Sequence, residues 1–249
     1  MLDYSKQIPA NYWDPRENAG ALILDQYKGR TIDIYLPFGY TAEEMYDIFY
    51  FKMGTNNTAQ QFWSFPGHTK RFEHVIDNLI DNGEIRPCVI VSIQGERPGR
   101  SKWLPENLYG LICYVEGRVM TYAKKNADLI IESAPHRALG GWSLGAIECR
   151  NVLVDDRKNE FWKMIGWFNM QSGYNANGMQ NISGTPFVGC AAGGYDDAGC
   201  VMFTKTCANI FGKTERLKKN HAQIVPGYTH AIDFQVRYFY NAIRYFFKK

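Results

Sequence analysis

The sequence predicts an α/β domain built on a predominantly parallel central sheet with helices on both faces, and three observations lead there. Short runs rich in β-branched and aromatic residues alternate along the chain with segments whose apolar residues recur at helical spacing. One run, "PCVIVSIQG" from Pro87 to Gly95, is almost continuously apolar, the pattern of a strand covered on both faces. The stretch "ALGGWSLGAIECRN", residues 138 to 151, joins an apolar strand to a helical pattern through a serine flanked by glycines. At 249 residues, with no low-complexity linker and no internal repeat, residues 1–249 read as a single domain around one sizeable core.

The elements follow in order. "RTIDIYLP" alternates apolar and polar residues as a half-covered strand does, and "PFGY" turns the chain. "MYDIFYFKMG" is a more buried strand ending at Gly54. "RFEHVIDNLIDNG" sets Phe72, Val75, Ile76, Leu79 and Ile80 at helical spacing, with Gly83 as its stop. With "PCVIVSIQG" after it, the segment is a strand-helix-strand unit, which implies parallel pairing. "NLYGLICYVEGRVMTYAKKN" reads as a helix weakened by Gly110 and Gly117. "HRALGGWS" is a strand and "LGAIECRNVLVD" a helix. A helix end and strand in "FWKMIGWFNMQSGY" and a strand with a glycine-rich exit in "GTPFVGCAAGGYDD" come next. "AGCVMFTKTCANIF" forms a helix, "HAQIVPG" a short strand and "HAIDFQVRYFYNAIRYFF" the closing helix.

Composition excludes several function classes. The formal charge is +3 and the basic residues are interspersed with acids, so nucleic acid has no electrostatic footprint here. No run of 18 apolar residues would span a membrane, and "MLDYSKQIPANYWDP" has no apolar signal segment. The six cysteines lack paired CxxC spacing; Cys200 and Cys207 are placed to bridge each other or Cys190, and buried free thiols are the equal alternative. His68, His74 and His136 form no metal constellation, and no metal or other cofactor is expected. Aromatic residues make up 15% of the chain; most read as core and rim packing, with a groove for sugars or phenolic groups as the alternative for the rest.

Gly-Trp-Ser-Leu-Gly gains meaning from its setting. A serine at a sharp strand-to-helix junction is held above the sheet with its hydroxyl exposed, and Gly141 and Gly145 let the two backbones close up around it. Ser143 is therefore the candidate nucleophile. It needs a base oriented by an acid, both supplied by later loops. Of the two downstream histidines, His230 lies in the loop "VPGYTHAIDF", while His221 opens a strand and reads as a surface residue. Asp196 in "AAGGYDDAG" is the candidate acid, with Asp197 as its alternative. Glu148, Asp155 and Asp156 read as solvent-facing charges of the helix that follows the serine. The oxyanion formed on attack needs two donors, expected from the backbone N–H groups of Leu144 and of Thr55, the latter after the bend at Gly54. Trp142, Trp103 and Trp63 are candidate substrate contacts, and Arg97 and Arg100 read as a solvated basic loop.

On these residues the chain resembles the feruloyl and acetylxylan esterases of carbohydrate esterase family 1. "IDIYLPFGY" resembles the family's opening strand and turn, "FEHVIDNLIDNGEIRPCVIVSIQG" its helix and following strand, and "HRALGGWSLG" its serine elbow. "GGYD" resembles its acid loop, and "PGYTHAIDFQVRYFYNAIRYF" its histidine loop and last helix. The resemblance implies an α/β-hydrolase fold and a Ser143, Asp196 and His230 triad with no cofactor. It implies hydrolysis of ferulate or acetyl esters on xylan oligosaccharides, a secreted protein and fusion to binding or dockerin modules. A non-hydrolytic carbohydrate-binding protein on the same fold is the alternative from another class. The chain departs from the family in having Met53-Gly54 for the usual His-Gly, Trp142 for a smaller residue, Ala146 for a common glycine, and Ala231-Ile232 after the histidine.

Overall fold

Side-chain alternation in the central strands feeds two separate cores, one on each face of a single sheet. In chain order the elements are β1 (Ala21–Tyr27), β2 (Arg30–Leu36), β3 (Asp47–Lys52), α1 (Phe72–Asp81), β4 (Cys88–Ile93), α2 (Trp103–Glu116), β5 (Arg137–Trp142), α3 (Leu144–Leu153), β6 (Met164–Phe168), β7 (Phe187–Gly193), α4 (Ala198–Lys213), β8 (His221–Val225) and α5 (Ile232–Phe246). The structure, a computed structural model, describes residues 2–64, 69–99, 102–119, 134–155, 158–170, 178–179, 182 and 186–249. Along β3, Ile48 and Tyr50 join the core beneath α2, α3 and α4, while Phe49 and Phe51 join the core beneath α1 and α5. A strand buried on both faces is apolar on both, which is why Ile48 to Phe51 run without polar alternation.

The strand order is β1-β2-β4-β3-β5-β6-β7-β8. Pairing is antiparallel from β1 to β2 and from β2 to β4, and parallel across the remaining six strands. This is the α/β-hydrolase fold. The carboxyl ends of the parallel strands share one edge, where loops collect. Helix α1 buries Phe72, Val75, Ile76 and Leu79, as the spacing predicts, and Gly83 follows it at φ +68°.

Two departures from expectation have local causes. Strand β1 carries no core signal because it is an edge strand whose residues are mostly exposed or half-buried. It is held in register by a tight hairpin at Lys28 and Gly29, both at positive φ. Helix α2 begins at Trp103, before the expected start at Asn107, because Pro105 falls in the first turn, where a missing N–H breaks no helical bond. It ends at Glu116, and residues 120–126 of the expected helix lie outside the described residues. All six cysteines are free thiols, five of them buried.

Candidate active site

The serine sits where β5 passes into α3, and its backbone is strained. Ser143 has φ 55° and ψ −119°, in the left-handed half of the map that L-residues avoid. Its N–H donates to the Phe168 carbonyl at 3.1 Å, which fixes the turn to the end of β6. Glycine is required on both sides: a Cβ on Gly141 would lie 2.5 Å from the Gly145 carbonyl, and one on Gly145 would strike the Lys52 carbonyl.

Loops after β7 and β8 bring an acid and an imidazole to this hydroxyl. His230 Nε2 lies 2.8 Å from Ser143 Oγ, and His230 Nδ1 lies 3.0 and 3.2 Å from the two carboxylate oxygens of Asp196. An ionised carboxylate only accepts hydrogen bonds, so Nδ1 carries the proton and Nε2 is left as acceptor for the serine O–H. The Asp196 side chain is 1% exposed and that of His230 is 34% exposed, so the carboxylate is sheltered while the imidazole opens to solvent. Asp197 points elsewhere. It caps α4, accepting the Cys200 N–H at 2.9 Å and the Cys200 thiol at 3.4 Å. Asp196, Asp197, Cys200 and His230 offer ligand atoms within 4.8 Å of one another. A cation there would compete with the helix cap and with the imidazole bonds just described.

Asn169 holds the two loops together. It is buried at the end of β6, donates from Nδ2 to the Thr229 carbonyl at 2.9 Å and accepts the Gly193 N–H at 2.7 Å. One amide thus spans the segment before His230 and the segment before Asp196. Nothing in "WFNMQ" marks this asparagine in advance.

The loop after β3 approaches the serine from the other side. A Cβ on Gly54 would lie 2.7 Å from the Trp142 ring and 3.2 Å from Ser143 Cβ, so only glycine admits this approach. Its path is fixed by backbone bonds from Met53 N–H to Ile93, from Asn56 N–H to Glu96 and from Gly95 N–H to Asn57. Thr55 is thereby brought to the rim of a cavity of about 490 Å³ that Asn57, Trp142, Ser143, Tyr195, Asp196, Asp197 and His230 also line. Leu144 is the first residue of α3, whose opening N–H groups have no partner within the helix.

Beneath that loop lies a buried charge cluster. Lys52 Nζ donates to the Gln94 carbonyl, lies 3.3 Å from Glu96 and 4.0 Å from Glu148, and sits over the Trp103 ring at 4.7 Å. Arg30 donates to both Glu96 oxygens at 2.7 and 2.8 Å. Glu148 also accepts the Leu104 N–H at 2.7 Å at the start of α2. Burial pushes the Glu148 pKa up to about 7 against the pull of Lys52, and burial lowers that of Lys52. Burial raises Glu96 too, but its bonds to Arg30 and the charge of Lys52 outweigh this and leave it lowered. Glu148 is therefore no solvent-facing charge, contrary to expectation: its position on α3 faces the core beside α2. Lysine inside the apolar "FYFKMG" was the available signal. Asp155 does face outward, paired with Lys158 at 2.6 Å, and Asp156 lies outside the described residues.

The tryptophans separate. Trp142 lines the cavity, its ring 5.5 Å from that of His230. Trp63 is wholly buried, stacked on Tyr35 with its Nε1–H donating to Ser92 at 2.8 Å, and so is a core residue rather than a substrate contact. Trp103 is packed against Tyr27 and Lys52 as the first residue of α2, away from the cavity lining. Tyr195, which no motif or spacing singles out, is 76% exposed at the cavity. His74 Nδ1 bonds to the Trp13 carbonyl at 3.1 Å and His136 pairs with Asp47 at 2.7 Å, while His68 and Arg100 lie outside the described residues.

No family model matches the chain. A curated relative, endo-1,4-beta-xylanase Y of Acetivibrio thermocellus, is 27% identical over 97% of this chain. The match takes up 24% of that relative, so the chain spans about a quarter of its length. Among solved structures, the feruloyl esterase module from Clostridium thermocellum complexed with sinapinate superposes with a TM-score of 0.77 at 22% identity, covering 99% of this chain and 96% of that one. A ferulic acid esterase of the CE1 group from Anaeromyces mucronatus superposes at 0.71 and 18% identity, covering 98% of this chain and 97% of that one. The chain shares the α/β-hydrolase fold of these esterases. Of the positions where the chain departs from the family it resembles, Met53 is fully buried, Ala146 is buried in α3, and Ala231 is the residue just before α5. None of these three reaches the cavity lining. Among the described residues no helix is long and apolar enough to cross a membrane.

Proposed function

We propose that the chain is a serine esterase that releases hydroxycinnamates such as ferulate from xylan. The observation that carries this reading is the unbroken hydrogen-bonded path from Asp196 through His230 to Ser143 at the floor of an open cavity. As Ser143 Oγ attacks the ester carbonyl, His230 Nε2 takes its proton and Asp196 stabilises the imidazolium and its orientation. The carbonyl oxygen becomes an anion facing the Leu144 and Thr55 N–H groups, where the start of α3 adds a favourable dipole. Collapse of this intermediate breaks the bond to the sugar oxygen, which receives the proton from His230. Water then attacks the acyl-serine, giving its proton to the same nitrogen, and the acid leaves as Ser143 recovers its hydrogen. Nothing beyond these side chains, two backbone donors and water is drawn on.

An aromatic acyl group is favoured over acetate because Tyr195 and Trp142 offer rings on the cavity wall. The sinapinate bound by the Clostridium module and the xylanase name of the curated relative support the same substrate class. A modular context beside further domains is consistent with that relative's greater length, and a place outside the cell belongs to the same reading.

The test is release of ferulate from a feruloylated arabinoxylan oligosaccharide, run beside an acetylated xylo-oligosaccharide. We expect ferulate release that falls by about 10,000-fold or more in Ser143→Ala. Tyr195→Ala is expected to raise KM for the ferulate ester about 5-fold, in line with about 1 kcal/mol for a lost ring contact. Acetate release alone would move the activity to acetyl groups. Neither product from folded protein would remove the esterase reading for these substrates.

A further inference from the structure

Asp33 is a buried acid that the esterase chemistry does not use. It lies on β2 opposite Leu24 of β1 and Ser92 of β4, and it is 3% exposed. Its Oδ2 has no hydrogen-bond partner among the described residues. Burial alone pushes its pKa up to about 6. A carboxylate withdrawn from water without a partner is costly, and a fold with no use for it would be more stable with an apolar side chain there.

A cleft of about 410 Å³ opens at this carboxylate. Thr31, Thr58, Gln26 and Gln60 give it hydroxyls and amides, and Leu24, itself exposed, gives it an apolar wall. Asp25 also borders the cleft, but its carboxylate is taken by Tyr114 on α2 and by Arg118 just after it. One segment separates the cleft from the serine. Thr55 and Asn57 line the catalytic cavity, Thr58 and Gln60 line the cleft, and the Cα atoms of Asn57 and Thr58 are only about 3.8 Å apart as chain neighbours. That segment is firmly placed by a capping box at Thr58 and by the Ala59 N–H donating to Thr31 Oγ1 at 3.3 Å.

We propose that this cleft is a subsite for the sugar chain that carries the ester, with Asp33 accepting hydrogen bonds from ring hydroxyls. The inference rests on the esterase reading for the identity of the sugar. A hydroxyl-rich ring matches the lining: it donates to the free carboxylate, exchanges hydrogen bonds with neutral hydroxyls and amides, and lays its C–H face on Leu24. A metal ion fits less well, since one free carboxylate with neutral neighbours is a poor cage for a divalent cation.

The test compares methyl ferulate, which has no sugar to occupy the cleft, with feruloylated xylo-oligosaccharides. Asp33→Leu removes the acceptor and should raise KM for the oligosaccharide about 10-fold, as the loss of a charge-assisted hydrogen bond implies. Asp33→Asn keeps the shape and weakens the bond, and should raise it about 3-fold. KM for methyl ferulate should stay within about 2-fold of wild type in both. Equal changes on both substrates, or no change on either, would overturn the subsite. If wild type hydrolyses neither ester, the esterase reading has failed and binding decides independently. Calorimetric titration with unesterified xylohexaose should then show wild-type binding that weakens in Asp33→Asn. No binding, or equal affinities, would overturn the subsite on its own account.

Discussion

Ser143 and Asp33 each hold a state that the free residue avoids, and each does so beside a cavity. At Ser143 the strain is in the backbone, and the glycine-flanked pentapeptide announced it because only a sharp strand-to-helix turn requires such spacing. At Asp33 the strain is electrostatic, and no pattern announced it, since an acid at an alternating position of "RTIDIYLP" looks solvent-facing. The sheet face it points to is covered by the segment around Thr58, and that cover is a tertiary fact. A pH prediction follows from its folded pKa of about 6 against an ordinary 3.8. Between those values the native state binds more protons than the unfolded chain, so stability falls as pH rises. The penalty is absent below the ordinary value and complete above about pH 6, where it amounts to about 1–3 kcal/mol. Urea unfolding should find Asp33→Asn more stable than wild type by about that amount at about pH 8, with the gap closing towards about pH 4.

The elements at the reactive edge are set by their partners more than by their own sequences. Strand β5 and helices α1 and α5 were legible because burial imposes a period or an unbroken apolar run. Strand β1 and the start of α2 were not, because an edge strand needs no core pattern and a first-turn proline resembles a loop signal. The same holds for the candidate acid and base: their loops could be named in order, but their closeness depends on Asn169, which joins them through Thr229 and Gly193. Replacing Asn169 with Ala strands one buried N–H and one carbonyl. This should cost about 1–3 kcal/mol of stability. The loosened loops should lower kcat by about 10-fold or more while leaving KM for methyl ferulate nearly unchanged, because the residue touches positions and no substrate. Steady-state kinetics beside a urea melt would check both, and a KM effect without a kcat effect would count against this positioning role.

Across the whole molecule, α2 is fastened at both ends by buried charge. At its start Glu148 takes the Leu104 N–H and approaches Lys52; at its end Glu116 receives Arg137 from β5 at 2.7 and 3.0 Å, with the Tyr50 hydroxyl donating at 2.9 Å. Helix, serine helix and central strands are thus tied by polar contacts through an otherwise apolar layer. Lys52 bears on the proposed reaction because it is the last residue of β3, directly before the loop that carries Gly54 and Thr55. Lys52→Met would leave Glu96 with Arg30 alone and Glu148 without a cation, and an uncompensated buried charge costs about 3–5 kcal/mol. Pairing it with Glu148→Gln removes one of the stranded charges, so the double variant should regain about half or more of that loss. Catalysis should not follow stability. The contact from Nζ to the Gln94 carbonyl is missing in both variants, and with it a tether at the base of the loop proposed to hold the oxyanion. Hydrolysis of methyl ferulate should therefore stay depressed by about 10-fold or more in the double variant even when unfolding shows the fold restored, since a misplaced oxyanion donor acts on the transition state alone. Recovery of kcat in step with stability would mean that Lys52 serves the core and has no hold on the loop.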